Sequence, residues 1–213
     1  SFLMKIKFPI TIGYGMTECA PLISFTPDNE FKAGSCGRYL KGLLEVRIDS
    51  EDPQRVAGEI LVRGEHVMKG YYKNDKDTHK VLDEEGWLHT GDMATMDPDG
   101  TLYIRGRSKT MILTGSGQNI YPEEIEGYIM QIDYVIEAVV RGVKNDHGQE
   151  THLMAEVYLD GEHEKQDVLR DIQKKLSVLP GYKTVSTVEI RKEPFAKTTS
   201  TVSYTHLRAH ETC

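Results

Sequence analysis

Gly106-Arg107-Ser108-Lys109-Thr110-Met111-Ile112-Leu113-Thr114-Gly115-Ser116-Gly117-Gln118-Asn119-Ile120-Tyr121-Pro122-Glu123-Glu124-Ile125-Glu126 is the stretch on which the reading of the fold turns. Thr110 to Leu113 is a β-rich run that ends in a polar, glycine-bearing loop. Pro122 followed by Glu123 and Glu124 opens a helix, because Pro suits the first helical turn and acids suit the positive end of the helix dipole. Upstream, short strand patterns alternate with turns: Leu44 to Ile48 at period two, the apolar run Gly58 to Gly64, and Thr101 to Arg105 after the turn Asp97-Pro98-Asp99-Gly100. Downstream, Val135 to Val143 and His152 to Leu159 read as strands. Glu164 to Leu179 reads as a helix with Val168, Leu169, Ile172, Leu176 and Leu179 on one face, and Thr187 to Arg191 as a last strand. The chain is therefore α/β (α+β): a β-rich part up to about residue 106, a junction at 107–109 and a small α/β part from 110.

Composition narrows the function. Lys and Arg number 26 against 33 Asp and Glu, a formal charge of −7, whereas a general grip on nucleic acid wants a basic stripe. With 38% hydrophobic residues the chain can bury a core. No apolar run approaches the roughly 18 residues of a transmembrane segment, and no amphipathic anchor is visible, which leaves peripheral membrane contact open. Cys19, Cys36 and Cys213 fall in no metal-ligand spacing, so a reducing, cytoplasmic compartment fits better than a disulfide framework.

Three segments carry chemistry. Gly13-Tyr14-Gly15-Met16-Thr17-Glu18 follows the strand-like run Ile6 to Ile12. Its glycines permit a sharp turn and close ligand approach, Tyr14 offers a flat face, Thr17 a hydroxyl, and Glu18 a hard oxygen suited to Mg²⁺. Gly86-Trp87-Leu88-His89-Thr90-Gly91-Asp92 places an acid in a Gly-Asp turn, where a carboxylate can accept two ribose hydroxyls; an ordinary Asx turn has the same signature. Arg105-Gly106-Arg107-Ser108-Lys109 puts guanidinium forks, which match anionic oxygens, beside the junction.

Singly these signals are modest. In order and spacing, together with Gly58-Glu59, Gly70-Tyr71-Tyr72, Thr78 and Asn119 to Glu126, they resemble the adenylate-forming superfamily of acyl-CoA synthetases, luciferases and peptide-synthetase adenylation domains. The pattern is most similar to the C-terminal part of long-chain fatty acid–CoA ligases. The resemblance implies ATP, Mg²⁺ and coenzyme A as partners of the reaction, with a fatty acid as substrate. It implies that Tyr14 stacks on adenine, Gly15 contacts the ATP or AMP, Thr17 the α-phosphate, Glu18 the Mg²⁺, Asp92 the ribose and Arg107 the ribose or phosphate. Lys109 would be the hinge of a mobile small domain at 110–200, and Gly115, Ser116 and Gly117 would line the pantetheine tunnel. Catalytic roles would fall to Thr17, Glu18 and Arg107.

The two ends depart from the family pattern. The phosphate-gripping loop and most of the acyl pocket are expected upstream of residue 1. The closing Pro-Lys-Thr-x-x-Gly-Lys motif begins at Phe195-Ala196-Lys197-Thr198-Thr199-Ser200, with Ala196 for its proline, and then has Thr201 and Val202 where Gly and the adenylation Lys belong. Residues 201–213 resemble a translated sequencing adapter, against the alternative of a native disordered tail. The expectation is a ligase truncated at both ends and inactive alone, with an acyl–carrier-protein ligase or peptide-synthetase adenylation domain, or a nucleotide-binding piece without catalysis, as the alternatives.

Overall fold

Strand β5 (Gly58–Gly64) is the centre of the N-terminal part, and its Ile60, Leu61 and Val62 are all buried. The computed structural model describes residues 8–114, 117–144 and 150–196. The chain divides after Lys109 into two compact units.

In the first unit, β1 (Ile12–Gly15) pairs antiparallel with β2 (Leu22–Thr26), which pairs with the short β3 (Arg38–Tyr39). A second sheet is an antiparallel meander of β4 (Leu44–Asp49), β5, β6 (Leu88–Met96) and β7 (Leu102–Arg107). Main-chain bonds join the two sheets: Cys36 N–H donates to Leu102 O (2.8 Å) and Leu102 N–H to Gly37 O (2.9 Å). The Asp97–Gly100 turn forms as expected, closed by Gly100 N–H to Asp97 O, with Gly100 at φ +86°. Leu44, Ile48, Ile60, Val62, Leu88, Ala94 and Leu102 make the core between strands. On the outer side, Trp87 is covered by the guanidinium groups of Arg47 and Arg63, 4.6 and 4.5 Å from the ring centre, a cation–π sandwich.

In the second unit, β8 (Ile112–Leu113) and β9 (Asn119–Ile120) form a two-residue ribbon. A helix at Pro122–Ile129 follows, with Pro122 in its first turn and Ile125 and Ile129 buried. Strands β10 (Val135–Lys144) and β11 (Glu150–Leu159) pair antiparallel; β12 (Val185–Arg191) runs parallel to β11. That parallel step needs a crossover, which the helix Lys165–Leu176 provides, packing Val168, Ile172 and Leu176 into the core.

Four readings are corrected. The run Ile6 to Ile12 is no strand over its described residues; β1 starts at Ile12 and contains Gly13-Tyr14-Gly15, so these glycines lie inside a strand and not in a turn after one. Thr90-Gly91-Asp92 likewise lies within β6. β7 continues through Gly106 and Arg107 rather than stopping at Arg105. The helix expected over 164–179 ends at Leu176, because Pro180 disfavours helical backbone at Leu179. A helix that the sequence reading did not contain, α1 (Asp75–Val81), is capped by Asn74, whose side chain accepts from Asp77 N–H. The helices at Pro122–Ile129 and Lys165–Leu176 are α2 and α3. The tail at 201–213, and Lys197 to Ser200 of the closing motif, lie outside the described residues.

One carboxyl ties α2 to the sheet. Glu126 Oε1 accepts from Val140 N–H at 2.8 Å. Burial, which outweighs the Val140 hydrogen bond and is reinforced by the charge of Glu123, pushes its pKa from 4.5 up to about 7. A carboxyl raised in the folded state favours folding fully below about pH 4.5, and that stability is lost as pH rises through about 7. Such a shift corresponds to roughly 3 kcal/mol at most, less for a partly solvated group. Glu126→Gln keeps an acceptor for Val140 without the charge. It is expected to be about 2 kcal/mol more stable than the parent at pH 8 and no more stable at pH 4, measured by urea unfolding at both pH values.

Candidate active site

The site is assembled where β1 meets an irregular segment of β6. Across β5 and β6, Glu59 faces Met93 and Leu61 faces His89, so Thr90, Gly91 and Asp92 stand opposite Ile60 alone. The extra residues form a bulge, which bends a strand and re-aims a side chain. Gly91 adopts φ +73°, a conformation that favours glycine. The bulge is pinned at three points. Gly91 N–H donates to Glu59 Oε1 (2.8 Å), Thr90 Oγ1 donates to Ile60 O (2.9 Å), and Asp92 N–H donates to Thr90 Oγ1 (3.1 Å). The second Glu59 oxygen is 2.9 Å from His89 Nδ1.

Asp92 is thereby held at 8% exposure between two partners. Tyr14 donates its hydroxyl to Asp92 Oδ2 at 2.7 Å, and Arg107, opposite Asp92 in the β6–β7 register, brings Nε to 3.1 Å from Oδ1. Burial first, then the Asp92 charge, pushes the Tyr14 hydroxyl well above its ordinary range, so it stays a donor. The Arg107 side chain is 71% exposed and its charge remains available to a ligand.

Beyond Gly15 the chain turns through a single 3-10 turn, Thr17–Cys19, and Met16 N–H returns to Pro21 O (2.7 Å). Thr17 is exposed and Glu18 half-buried. Glu18 is held twice: its carbonyl accepts from Met68 N–H (2.7 Å), and its Oε1 accepts the Tyr71 hydroxyl (2.9 Å). Cys19 is fully buried, and burial, then the Glu18 charge, raises its thiol to about 11. It is a protonated core residue and no nucleophile at neutral pH.

The first unit thus brings together Tyr14, Gly15, Asp92 and Arg107, with Thr17 and Glu18 in the turn beyond the end of β1. Lys109, exposed, is the last residue of that unit. Gly117, at φ +80°, belongs to the tight loop of the β8–β9 ribbon, where Gly117 N–H bonds Thr114 O; Gly115 and Ser116 lie outside the described residues. Two hollows lie elsewhere, one of about 350 Å³ beside Phe25 and Leu43 and one of about 600 Å³ between α2 and α3. In the sequence Glu59 and Tyr71 stand only as parts of motifs; the structure shows them holding Gly91 and Glu18.

Glu18 suits Mg²⁺. No group of three or more His, Cys, Asp or Glu that could cage a metal exists among the described residues. Mg²⁺ favours one or two carboxylates plus substrate phosphates, and a lone, half-buried carboxylate matches that habit. No helix among the described residues is long and apolar enough to cross a membrane.

Comparison with known proteins agrees with this architecture. The AMP-binding enzyme family profile matches residues 2–72. The long-chain-fatty-acid–CoA ligase of Salmonella typhimurium is 38% identical over 185 residues, covering 85% of this chain and 32% of that protein. The 2-succinylbenzoate–CoA ligase of Oceanobacillus iheyensis is 42% identical over 146 residues, 67% of this chain and 30% of that one. The o-succinylbenzoate coenzyme A synthetase of Bacillus subtilis, solved with ATP and magnesium ion, superposes with a TM-score of 0.81 at 28% identity, over 94% of this chain and 41% of that one. The fold is the C-terminal part of the adenylate-forming architecture. The chain belongs to the AMP-binding enzyme family and spans about a third of the length of the curated relatives it matches.

Proposed function

We propose that this chain is the adenosine-holding part and the small domain of an AMP-forming acid–thiol ligase that activates a fatty acid and transfers it to coenzyme A. The observation that carries the reading is the Tyr14–Asp92–Arg107 arrangement: an aromatic ring, a nearly buried carboxylate and an exposed guanidinium within one cluster. Such a cluster suits a nucleoside monophosphate, with a base for the ring, ribose hydroxyls for the carboxylate and phosphate for the guanidinium. Support for coenzyme A and a fatty acid comes from the Salmonella ligase named for both.

In the first half-reaction the carboxylate oxygen of the acid attacks the α-phosphorus of ATP. The Pα–O bond to the β-phosphate breaks, giving acyl-adenylate and pyrophosphate. Asp92 fixes the ribose, Tyr14 stacks on the adenine, Gly15 lets the nucleotide approach, and the Thr17 hydroxyl donates to an α-phosphate oxygen. Arg107 offsets charge at the ribose-phosphate side. Glu18, together with the phosphates, would hold Mg²⁺, which when bound would supply positive charge to the phosphate oxygens. In the second half-reaction the small domain would turn about Lys109, and Gly117 would lie along the path of the thiol. The thiol, losing its proton, attacks the acyl carbon and AMP leaves.

Calorimetric titration with AMP and with 2′,3′-dideoxy-AMP tests the assignment. AMP is expected to bind and the dideoxy compound to bind at least tenfold more weakly, because it offers Asp92 no hydroxyl. Equal affinity for the two, or no AMP binding, would discard the reading.

A further inference from the structure

Two segments far apart in sequence meet at Glu18, and one of them has had no function attached to it. Tyr71 donates its hydroxyl to Glu18 Oε1 at 2.9 Å, while three residues earlier Met68 N–H donates to the Glu18 carbonyl at 2.7 Å. Segment 68–71 therefore grips both the backbone and the side chain of one glutamate.

That segment is itself braced. Tyr71 N–H donates to Thr78 Oγ1 (2.9 Å), and Thr78 Oγ1 donates to Asn74 O (2.9 Å), binding the segment to the first turn of α1. Gly70 sits at φ +143°, and a Cβ there would meet Thr78 Cγ2 at 2.9 Å. Tyr72 next door is 88% exposed, so the chain turns one tyrosine outward and the other onto Glu18. α1 buries none of its residues. A helix with no fully buried residue, and only Val81 packed against the core, adds little to it; its further work is to hold this loop.

We propose that Tyr71 is a positioning residue for the cation ligand Glu18, its hydroxyl fixing the plane of a carboxylate that otherwise has several rotamers. This rests on the assignment of Glu18 to Mg²⁺ in the proposed function. The hydrogen bond takes one carboxylate oxygen, and Oε2 has no partner among the described residues. One oxygen clamped and one open is the arrangement a monodentate Mg²⁺ ligand needs. Groups that orient a ligand in this way typically change metal affinity by 10–100-fold when removed. Burial, then the Glu18 hydrogen bond and charge, raises the Tyr71 pKa, so the hydroxyl remains a donor through neutral pH.

The test is a titration of the AMP-saturated chain with Mn²⁺, free Mn²⁺ being followed by its electron paramagnetic resonance signal. Tyr71→Phe is expected to weaken Mn²⁺ binding about tenfold while leaving AMP affinity in the absence of cation unchanged. Glu18→Gln should abolish Mn²⁺ binding, and Tyr72→Phe should have no effect. Parental Mn²⁺ affinity in Tyr71→Phe, with Glu18→Gln still abolishing it, overturns the positioning role and leaves the function intact. Unchanged Mn²⁺ affinity in Glu18→Gln overturns the cation assignment and the positioning role together.

Discussion

Asp92→Ala will weaken AMP binding to this chain about 100-fold, close to 2.7 kcal/mol. An ionised carboxylate offers about four lone-pair sites. Tyr14 and Arg107 engage one oxygen each. The ribose 2′ and 3′ hydroxyls can therefore bond Asp92 without displacing either protein partner. Each hydrogen bond to a charged acceptor contributes about 1.5–3 kcal/mol, and desolvating a carboxylate at 8% exposure offsets part of the pair. Removing the side chain also strips Tyr14 of its acceptor and Arg107 of its ion pair, so the ring and guanidinium lose their fixed places. Asp92→Asn keeps the shape and one acceptor oxygen, and its loss should be nearer tenfold. Competition titration against a fluorescent adenine nucleotide gives all three affinities. An Asp92→Ala chain that binds AMP like the parent would show that the ribose sits elsewhere.

How far the sequence reveals this site depends on how local its causes are. Strands β5, β10 and β11 are apolar runs whose burial follows from their own residues, and α2 announces itself through Pro122 and two acids. The motif residues Tyr14, Glu18, Asp92 and Arg107 are also visible, because their types match the chemistry. Their setting is not. Gly91 and its polar neighbours read as a turn because nothing within a few residues shows that Glu59, 32 positions away, receives the Gly91 N–H inside a sheet. Tyr71 is bonded to a partner 53 positions away, and Tyr14 to one 78 away. α1 has no buried residue, hence no apolar period to detect; its only local signal is the Asn74 cap with acids behind it. Sequence patterns record burial and turn chemistry, whereas the site is made by long-range pairing of polar groups.

Gly15→Ala should cost the first unit at least about 3 kcal/mol and lower its thermal midpoint by several degrees. Gly15 has an ordinary strand conformation with negative φ, so the demand for glycine here is one of space and not of backbone freedom. A Cβ at this position would fall on the Pro21 carbonyl oxygen, 2.8 Å from Pro21 C and 2.9 Å from Leu22 Cα. All three are backbone atoms, which cannot rotate away as a side-chain tip can. They also belong to the return path that Met16 N–H closes on Pro21 O, and the register shift between Tyr14 and Gly15 sits at this point. Relief therefore requires β1 and β2 to part, and Tyr14, one residue back, must move with β1 and away from Asp92. Gly117→Ala serves as the control: φ +80° strains it, yet no atom of the described residues lies within 4 Å of its would-be Cβ, so about 1 kcal/mol is expected. Differential scanning calorimetry of both variants, read beside AMP affinity, separates the two causes. Gly15→Ala should lose stability and AMP binding together, and Gly117→Ala should keep AMP binding. A Gly15→Ala chain with the parental midpoint would mean that β1 and β2 are not packed as closely as described.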